Sequence, residues 1–235
     1  MYISQPLSEG IFMQNREITG RYLCSQLTLD KATEYLQDLR NGQKRPGTRL
    51  RTEVGQADYN ALTPQELLAH LMNTRQPLLC AERSASIGEA NDWTIEENAI
   101  LADMIFSTTG TCAYNNGEHF AFAFPGGPSP NYPEEARPKV NFLFASGTLL
   151  RNDLGYTTSD MDELIQEDDT LNAEAYYQLI ERRLLPGLLA QNTEAKKTNT
   201  PLLINIPGLG TGEFAQAKYR ESLKRLLPGT LSTLI

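Results

Sequence analysis

The run "PLLINIPGLGTGEFA", from Pro201 to Ala215, constrains the fold more than any other stretch of this 235-residue chain. Its first six residues form the continuous apolar run expected of a central strand buried on both faces of a sheet. Three glycines then fall at alternate positions, Gly208, Gly210 and Gly212, ahead of a polar, helix-compatible run. In an open α/β sheet, ligands collect outside the carboxyl ends of the strands. Glycines there let the backbone take positive φ and let a ligand approach the main chain. Successive amides in front of a helix N-terminus make an anion site, to which Thr211 adds a hydroxyl donor. The loop is not a Walker loop, because no Gly-Lys-Ser/Thr follows, and its position and glycine spacing do not fit the dinucleotide fingerprint. The plain alternative is a strand-to-helix turn whose glycines only make room. Two glycines suffice for such a turn, and this loop has three.

The pattern around the loop supports an α/β chain. "PLLCA" (Pro77 to Ala81), "HFAFAF" (His119 to Phe124) and "VNFLFAS" (Val140 to Ser146) read as strands. "TIEENAILADMIF" reads as a helix opened by a capping box of Thr94 and Glu97. "DDTLNAEAYYQLIERRLLPGLLAQN" reads as a long helix that Pro186 kinks or breaks, and "QAKYRESLKRLL" as a final helix stopped by Pro228 and Gly229. Alternating strands and helices imply helices on the faces of a sheet.

Residues 1–75 have a different texture and read as a helical accessory segment, with residues 76–235 as the α/β domain. "TLDKATEYLQDLRNG" gives a helix with Thr28 as N-cap and Gly42 as stop, and "TPQELLAHLM" a helix with Thr63, Glu66 and Pro64 at its start. "GQKRPGTRLRTEVGQ" reads as a loop, and no strand is evident before Gln76.

Composition narrows the function. Charged residues make up 21% and apolar residues 40%, which suits a globular core. The 29 acidic against 21 basic residues, a net charge of -8, argue against a nucleic-acid partner. Cys24, Cys80 and Cys112 form no zinc pattern and no disulfide framework, so a reducing compartment fits. No apolar run reaches membrane-span length, and "MYISQPLSEGIF" has no secretory pattern. A cytoplasmic address, or delivery into a host cytosol by a route that reads other signals, is expected.

"LLINIPGLGTGEFA" followed by a helix resembles the second phosphate-binding loop of macrodomains, with Pro207, Gly210, Thr211, Gly212 and Phe214 matching. The resemblance covers roughly residues 76–227. It implies a three-layer α/β/α sandwich with an N-terminal helical extension. It also implies that ADP-ribose or an ADP-ribosylated protein is the partner, and that no resident cofactor or metal is needed. By the same resemblance Gly208, Leu209, Gly210, Thr211, Gly212, Glu213 and Phe214 bind the diphosphate, with Phe214 beside the distal ribose. Asn91 lies in the first ligand loop, also near that ribose.

Three carboxylates are candidates for hydrolysis. In "GEANDWTIEEN", Glu96 and Glu97 open a helix, as acidic residues do at the positive end of a helix dipole, and Glu97 completes a cap. The poly(ADP-ribose) glycohydrolase-like branch of macrodomains carries such a pair, one member acting as general acid. Only one glycine, Gly88, precedes the pair here, where that branch has a glycine-rich stretch. Asp92 is the alternative, as a group that orients or activates water. Trp93 is read as a core anchor rather than an adenine-stacking face. A Cys112–His119 nucleophile pair and a calcium site in "SDMDELIQEDD" lack the local patterns they require. The resulting expectation is an ADP-ribose hydrolase. A non-catalytic reader of ADP-ribosylated proteins, or an interaction protein that keeps the fold, is the alternative.

Overall fold

A computed structural model describes residues 2–6, 11–13, 16–18, 20–55, 58–74, 92–115, 119–123, 139–151, 158–206, 208–212 and 214–235. The elements are strands β1 (Tyr2–Pro6), β2 (Ile11–Met13), β3 (Arg16–Ile18) and β4 (Arg21–Ser25), then helices α1 (Gln26–Arg40), α2 (Thr48–Val54), α3 (Pro64–Asn73) and α4 (Ile95–Ala102). Strands β5 (Ile105–Asn115), β6 (His119–Ala123) and β7 (Lys139–Phe144) follow, then helices α5 (Ser159–Leu164), α6 (Ala173–Thr198) and α7 (Ala217–Leu234). The expected strand at 77–81 lies outside the described residues.

The sheet is built on β5. Its first residues pair with β4, its last with β6, and its middle with β7, all antiparallel. Phe106 faces both Tyr22 and Phe144, and Thr111 faces both Ala123 and Lys139. Strands β4 and β6 therefore share one edge of β5, and β7 holds the other. β1 extends the sheet beyond β4, and β2–β3 is a separate hairpin.

Both faces of this sheet are covered. Tyr22, Cys24 and Phe106 pack with Leu36, Leu50, Leu68, Leu71, Ile100 and Leu101 from α1 to α4. Leu23 and Ile105, one residue out of phase, pack with Ala190 of α6 on the opposite face. A second large core joins α5, α6 and α7 through Leu164, Tyr176, Leu179, Ile180, Tyr219 and Leu223.

Several elements depart from the sequence reading. The apolar run at 201–206 forms no ladder with any described strand, and Leu203 is 93% exposed. A continuous apolar run specifies burial but not a pairing partner. The central position belongs instead to β5, "IFSTTGTCAYN", whose threonines and serine hid it. The helix read through Phe106 ends at Asp103, and the chain turns into β5. β4 lies in the segment read as helical, and α2 replaces an expected loop because Leu50 and Val54, spaced i and i+4, are both buried. Ser25, not Thr28, caps α1: its hydroxyl accepts from the Thr28 amide at 3.2 Å.

Neither proline breaks its helix. α6 runs through Pro186 and α7 through Pro228. Pro186 is followed by Gly187, where a Cβ would stand 3.0 Å from Leu143 Cδ1 and 3.4 Å from Ile105 Cδ1. The helix backbone approaches the sheet there, and packing offsets the lost hydrogen bond.

The two helical glycines predict opposite effects. Gly187→Val overpacks the α6–sheet contact and is expected to cost about 1–3 kcal/mol. Gly229, in α7 with no atom within 4 Å of a built Cβ, is expected to gain about 0.5–1 kcal/mol on Gly229→Ala. Urea unfolding midpoints of both variants against the parent chain check the signs.

Candidate functional site

The start of α4 is tied by Glu97. Thr94 Oγ1 accepts from the Glu97 amide at 3.2 Å, and Glu97 Oε2 accepts from the Thr94 amide at 3.0 Å, closing the expected capping box. Glu97 Oε1 also accepts from the Gly47 amide at 2.9 Å and from the Tyr35 hydroxyl at 2.8 Å. The side chain is fully buried, and burial raises its pKa despite these three donors. Gly47 has no room for a side chain: a Cβ would lie 2.5 Å from Glu97 Oε2 and 2.6 Å from the Asp92 carbonyl. Glu97 thus joins α1, α2 and α4.

Glu96 and Asp92 are more open. Glu96 pairs with Lys44 and lines a cleft of about 210 Å³ with Lys31, Glu34, Tyr35 and Asp38. Partial burial would raise its pKa, but the Lys44 ammonium and hydrogen bonds at the helix start override this and hold it below the ordinary carboxylate value. The cleft is smaller than the ~300–1,000 Å³ usual for ligand pockets. Asp92 Oδ2 accepts from Arg49 Nε at 3.2 Å, and its carbonyl accepts from the Arg49 amide at 3.0 Å. Arg49 also lies over the Trp93 ring, 5.3 Å from its centroid. Trp93 is 9% exposed, sits in the first core and donates to Thr74 Oγ1 at 2.8 Å, which makes it an anchor as expected. Asn91 and Glu213 lie outside the described residues.

The glycine loop is organised by a short segment at 147–150. Thr148 N donates to the Leu209 carbonyl at 3.2 Å, Leu150 N to the Phe214 carbonyl at 2.9 Å, and Gln216 N to the Leu150 carbonyl at 2.9 Å. Gly210 has φ +88°, and a Cβ on it would overlap Thr148. Gly147 meets Leu209 and Gly210 as closely. A turn closes from Thr211 N to the Gly208 carbonyl at 2.7 Å. The amides of Gly210 and Gly212 donate to no described residue, and among the described residues nothing stands within 4 Å of a Cβ built on Gly212. Phe214 is 54% exposed at the loop's end. The partners of the α4 carboxylates come from α1, α2 and the residues before α2, and those of the loop from 147–150. No described hydrogen bond or ion pair joins the two sets.

Beneath both lies an ion network that the sequence reading missed. Asp103, 1% exposed at the end of α4, receives Lys31 Nζ at 2.9 Å, Arg182 Nε at 2.8 Å and Arg183 Nε at 2.9 Å. Arg182 continues to Glu163, and Arg183 to Asp160. Burial alone would raise the Asp103 pKa, but the Arg183, Lys31 and Arg182 charges together hold it below its ordinary value. Two signals were present in the sequence: one acid inside "LADMIF", and adjacent arginines inside the apolar run "LIERRLLPGLL". Asp160, inside the acidic run set aside above as a calcium site, is buried in this network at 1% exposure. Among the described residues no group of three or more His, Cys, Asp and Glu side chains is arranged to hold a metal ion. No helix among them is long and apolar enough to cross a membrane. The register pairs His119 with Asn115 and Cys112 with Phe122.

A family model described as macrodomain effector MavL matches residues 21–235. No curated protein matches the chain. The match takes in β4 and helices α1 to α3 as well as the glycine loop.

The ion network fixes a pH dependence. A carboxyl whose folded pKa lies below its unfolded value stabilises the fold above the unfolded value, and that contribution is lost as pH falls through the folded pKa. For Asp103, whose ordinary value is 3.8, the contribution is whole at neutral pH and declines below about pH 4. Asp103→Asn leaves buried arginines uncompensated and is expected to cost about 3–5 kcal/mol at pH 7. It should also flatten the acid limb, as read from urea midpoints between pH 7 and pH 3. The raised pKa of Glu97 acts with the opposite sign, so Asp103 is judged from the difference between variant and parent.

Proposed function

The chain belongs to the macrodomain effector MavL family, and we propose that it binds ADP-ribose at the 208–214 loop and releases it from modified proteins by hydrolysis. One observation carries the reading. Gly212 lies beside open space, and its amide and that of Gly210 have no described acceptor. Diphosphate oxygens are the acceptors such a loop suits, with α7 and its partial positive charge behind them. Phe214 supplies an exposed aromatic face for the distal ribose. Helices on both faces of the sheet accord with a macrodomain-like three-layer arrangement. The segment before residue 76 is part of this arrangement: β4 pairs with β5 in the sheet, and α1 and α3 pack with α4 in one core. In keeping with the family's designation as effectors, we place its action in a host cytosol.

Of the three carboxylates, Asp92 is the one we assign to water activation. Both Glu97 oxygens are engaged in a buried knot, which suits a positioning role. Glu96 is ionised and paired with Lys44, which does not suit a general acid, so the glycohydrolase-like use of a vicinal pair is the weaker form of the proposal. Asp92 precedes the cap, next to Asn91, and its side-chain partner is the half-exposed Arg49. The second reading is a reader without catalysis. It is favoured by the same fact that each carboxylate already holds a partner.

Two measurements test the proposal. Gly212→Val leaves the fold room for its side chain, so the thermal midpoint should hold while calorimetric ADP-ribose affinity falls; unchanged affinity removes the loop from the site. For catalysis, Asp92→Asn is expected to slow ADP-ribose release from a modified protein by about 10²–10⁴ while binding changes little. Glu96→Gln should retain most activity. A wild-type chain that binds ADP-ribose yet releases none from any linkage tried is a reader.

A further inference from the structure

We infer that Arg183, with Asp160, is a positioning residue for the glycine loop, acting through the backbone of residues 147–150. Its consequence for ligand binding rests on the reading of that loop as the ADP-ribose site. Within itself the loop closes two short turns, from Thr211 N to the Gly208 carbonyl and from Ala215 N to the Gly212 carbonyl. It rests on 147–150 through three backbone hydrogen bonds, and Gly147 and Gly210 leave no space between the two strands of chain. Whatever fixes 147–150 therefore fixes the Gly210 and Gly212 amides.

That segment is fixed from α6 and α5. Arg183 Nη1 donates to the Gly147 carbonyl at 3.0 Å and to Asp160 Oδ2 at 2.9 Å, and Nη2 donates to Asp160 Oδ1 at 2.6 Å. Asp160 Oδ2 also accepts from the Leu149 amide at 2.8 Å. The pair thus holds one carbonyl and one amide of the segment, and Thr158 Oγ1 holds the Leu149 carbonyl at 2.6 Å. Arg183 is 2% exposed, so no water competes for these donors. The planar guanidinium grips Asp103, Asp160 and a carbonyl with four hydrogen bonds from three nitrogens, whereas an ammonium has three donors on a single nitrogen.

Arg182 is a built-in control. It grips the same Asp103 from the same helix, but its other end goes to Glu163 and not to 147–150. A purely structural role for the network lets either arginine act on stability alone; a positioning role lets Arg183, and not Arg182, act on the amides that join the loop to 147–150.

The experiment compares the full chain with Arg183→Lys, Asp160→Asn and Arg182→Lys. Two readouts are used: calorimetric ADP-ribose affinity, and hydrogen exchange of the Thr148, Leu150 and Gln216 amides without ligand. Arg183→Lys and Asp160→Asn are expected to speed exchange at these amides and to weaken affinity about tenfold in the folded protein. Arg182→Lys is expected to lower the thermal midpoint with affinity and exchange unchanged. Equal effects of Arg182→Lys and Arg183→Lys overturn the inference. So does undisturbed protection in both Arg183→Lys and Asp160→Asn. If Arg183→Lys does not fold, Asp160→Asn is read alone; failure of both to fold while Arg182→Lys folds also overturns it, because the pair then serves the fold only. A wild-type chain that binds no ADP-ribose defeats the functional reading, while the exchange comparison still decides the positioning one.

Discussion

The structure turns on a carboxylate that water does not reach. Asp103 stands where α4 gives way to β5, and three cations from two other helices converge on it. A lone buried carboxylate is costly and would take up a proton instead. Here Lys31, Arg182 and Arg183 face Asp103, Asp160 and Glu163, so the formal charges cancel. Such a network adds little stability over an apolar core of the same volume, but removing one member is severe. Its value lies in alignment. It sets α1 against one face of the sheet and α6 against the other, and it carries that registration through Asp160 to α5.

The same logic repeats one helix-length earlier. Glu97 closes the start of α4 as Asp103 closes its end, so a helix of only eight residues is pinned by a buried acid at each terminus. A helix so short has little stability of its own. Pinning fixes the direction from which the preceding residues arrive, including Asp92. The capping box accounts for one Glu97 oxygen, and Gly47 and Tyr35 account for the other. A carboxylate so engaged holds a site together more readily than it transfers a proton.

Local chemistry was legible in the sequence and partnership was not. Both capping boxes, the core role of Trp93, the strands of β6 and β7 and the long amphipathic helices follow from spacing within a few residues, where cap and period rules apply. The strand expected at 201–206 failed because apolar content says nothing about which edge is free to pair. The missed strand β5 failed for the converse reason: it is central because β4, β6 and β7 pair with it, not because it is the most apolar segment. Pro186 does not break α6: its cost as a helix residue was visible in the sequence, while the close packing of Gly187 on Leu143 and Ile105 was not. Arg183 and Asp160 are 23 positions apart, and nothing in either neighbourhood announces the other. Only the Arg183 neighbourhood carried a charge inside an apolar run, which implies a distant partner without naming it; Asp160 lay among other acids and gave no such sign.

The three glycines of the loop answer to different demands. Gly210 is required by the fold, since its positive φ and its contact with Thr148 both exclude a side chain. Gly208 is close to the same condition, because a Cβ would stand 2.7 Å from Thr211 Oγ1, the end of a short side chain inside its own turn. Gly212 meets neither demand: its φ is not in the left-handed region and nothing crowds it. A glycine there costs the fold conformational entropy, about 0.4–1 kcal/mol relative to alanine, with no return from packing or turn geometry. Gly229 in α7 meets neither demand either, so what sets Gly212 apart is its place in the loop, between Gly210 and the start of α7. The space beside Gly212 is therefore where the loop's ligand is to be sought.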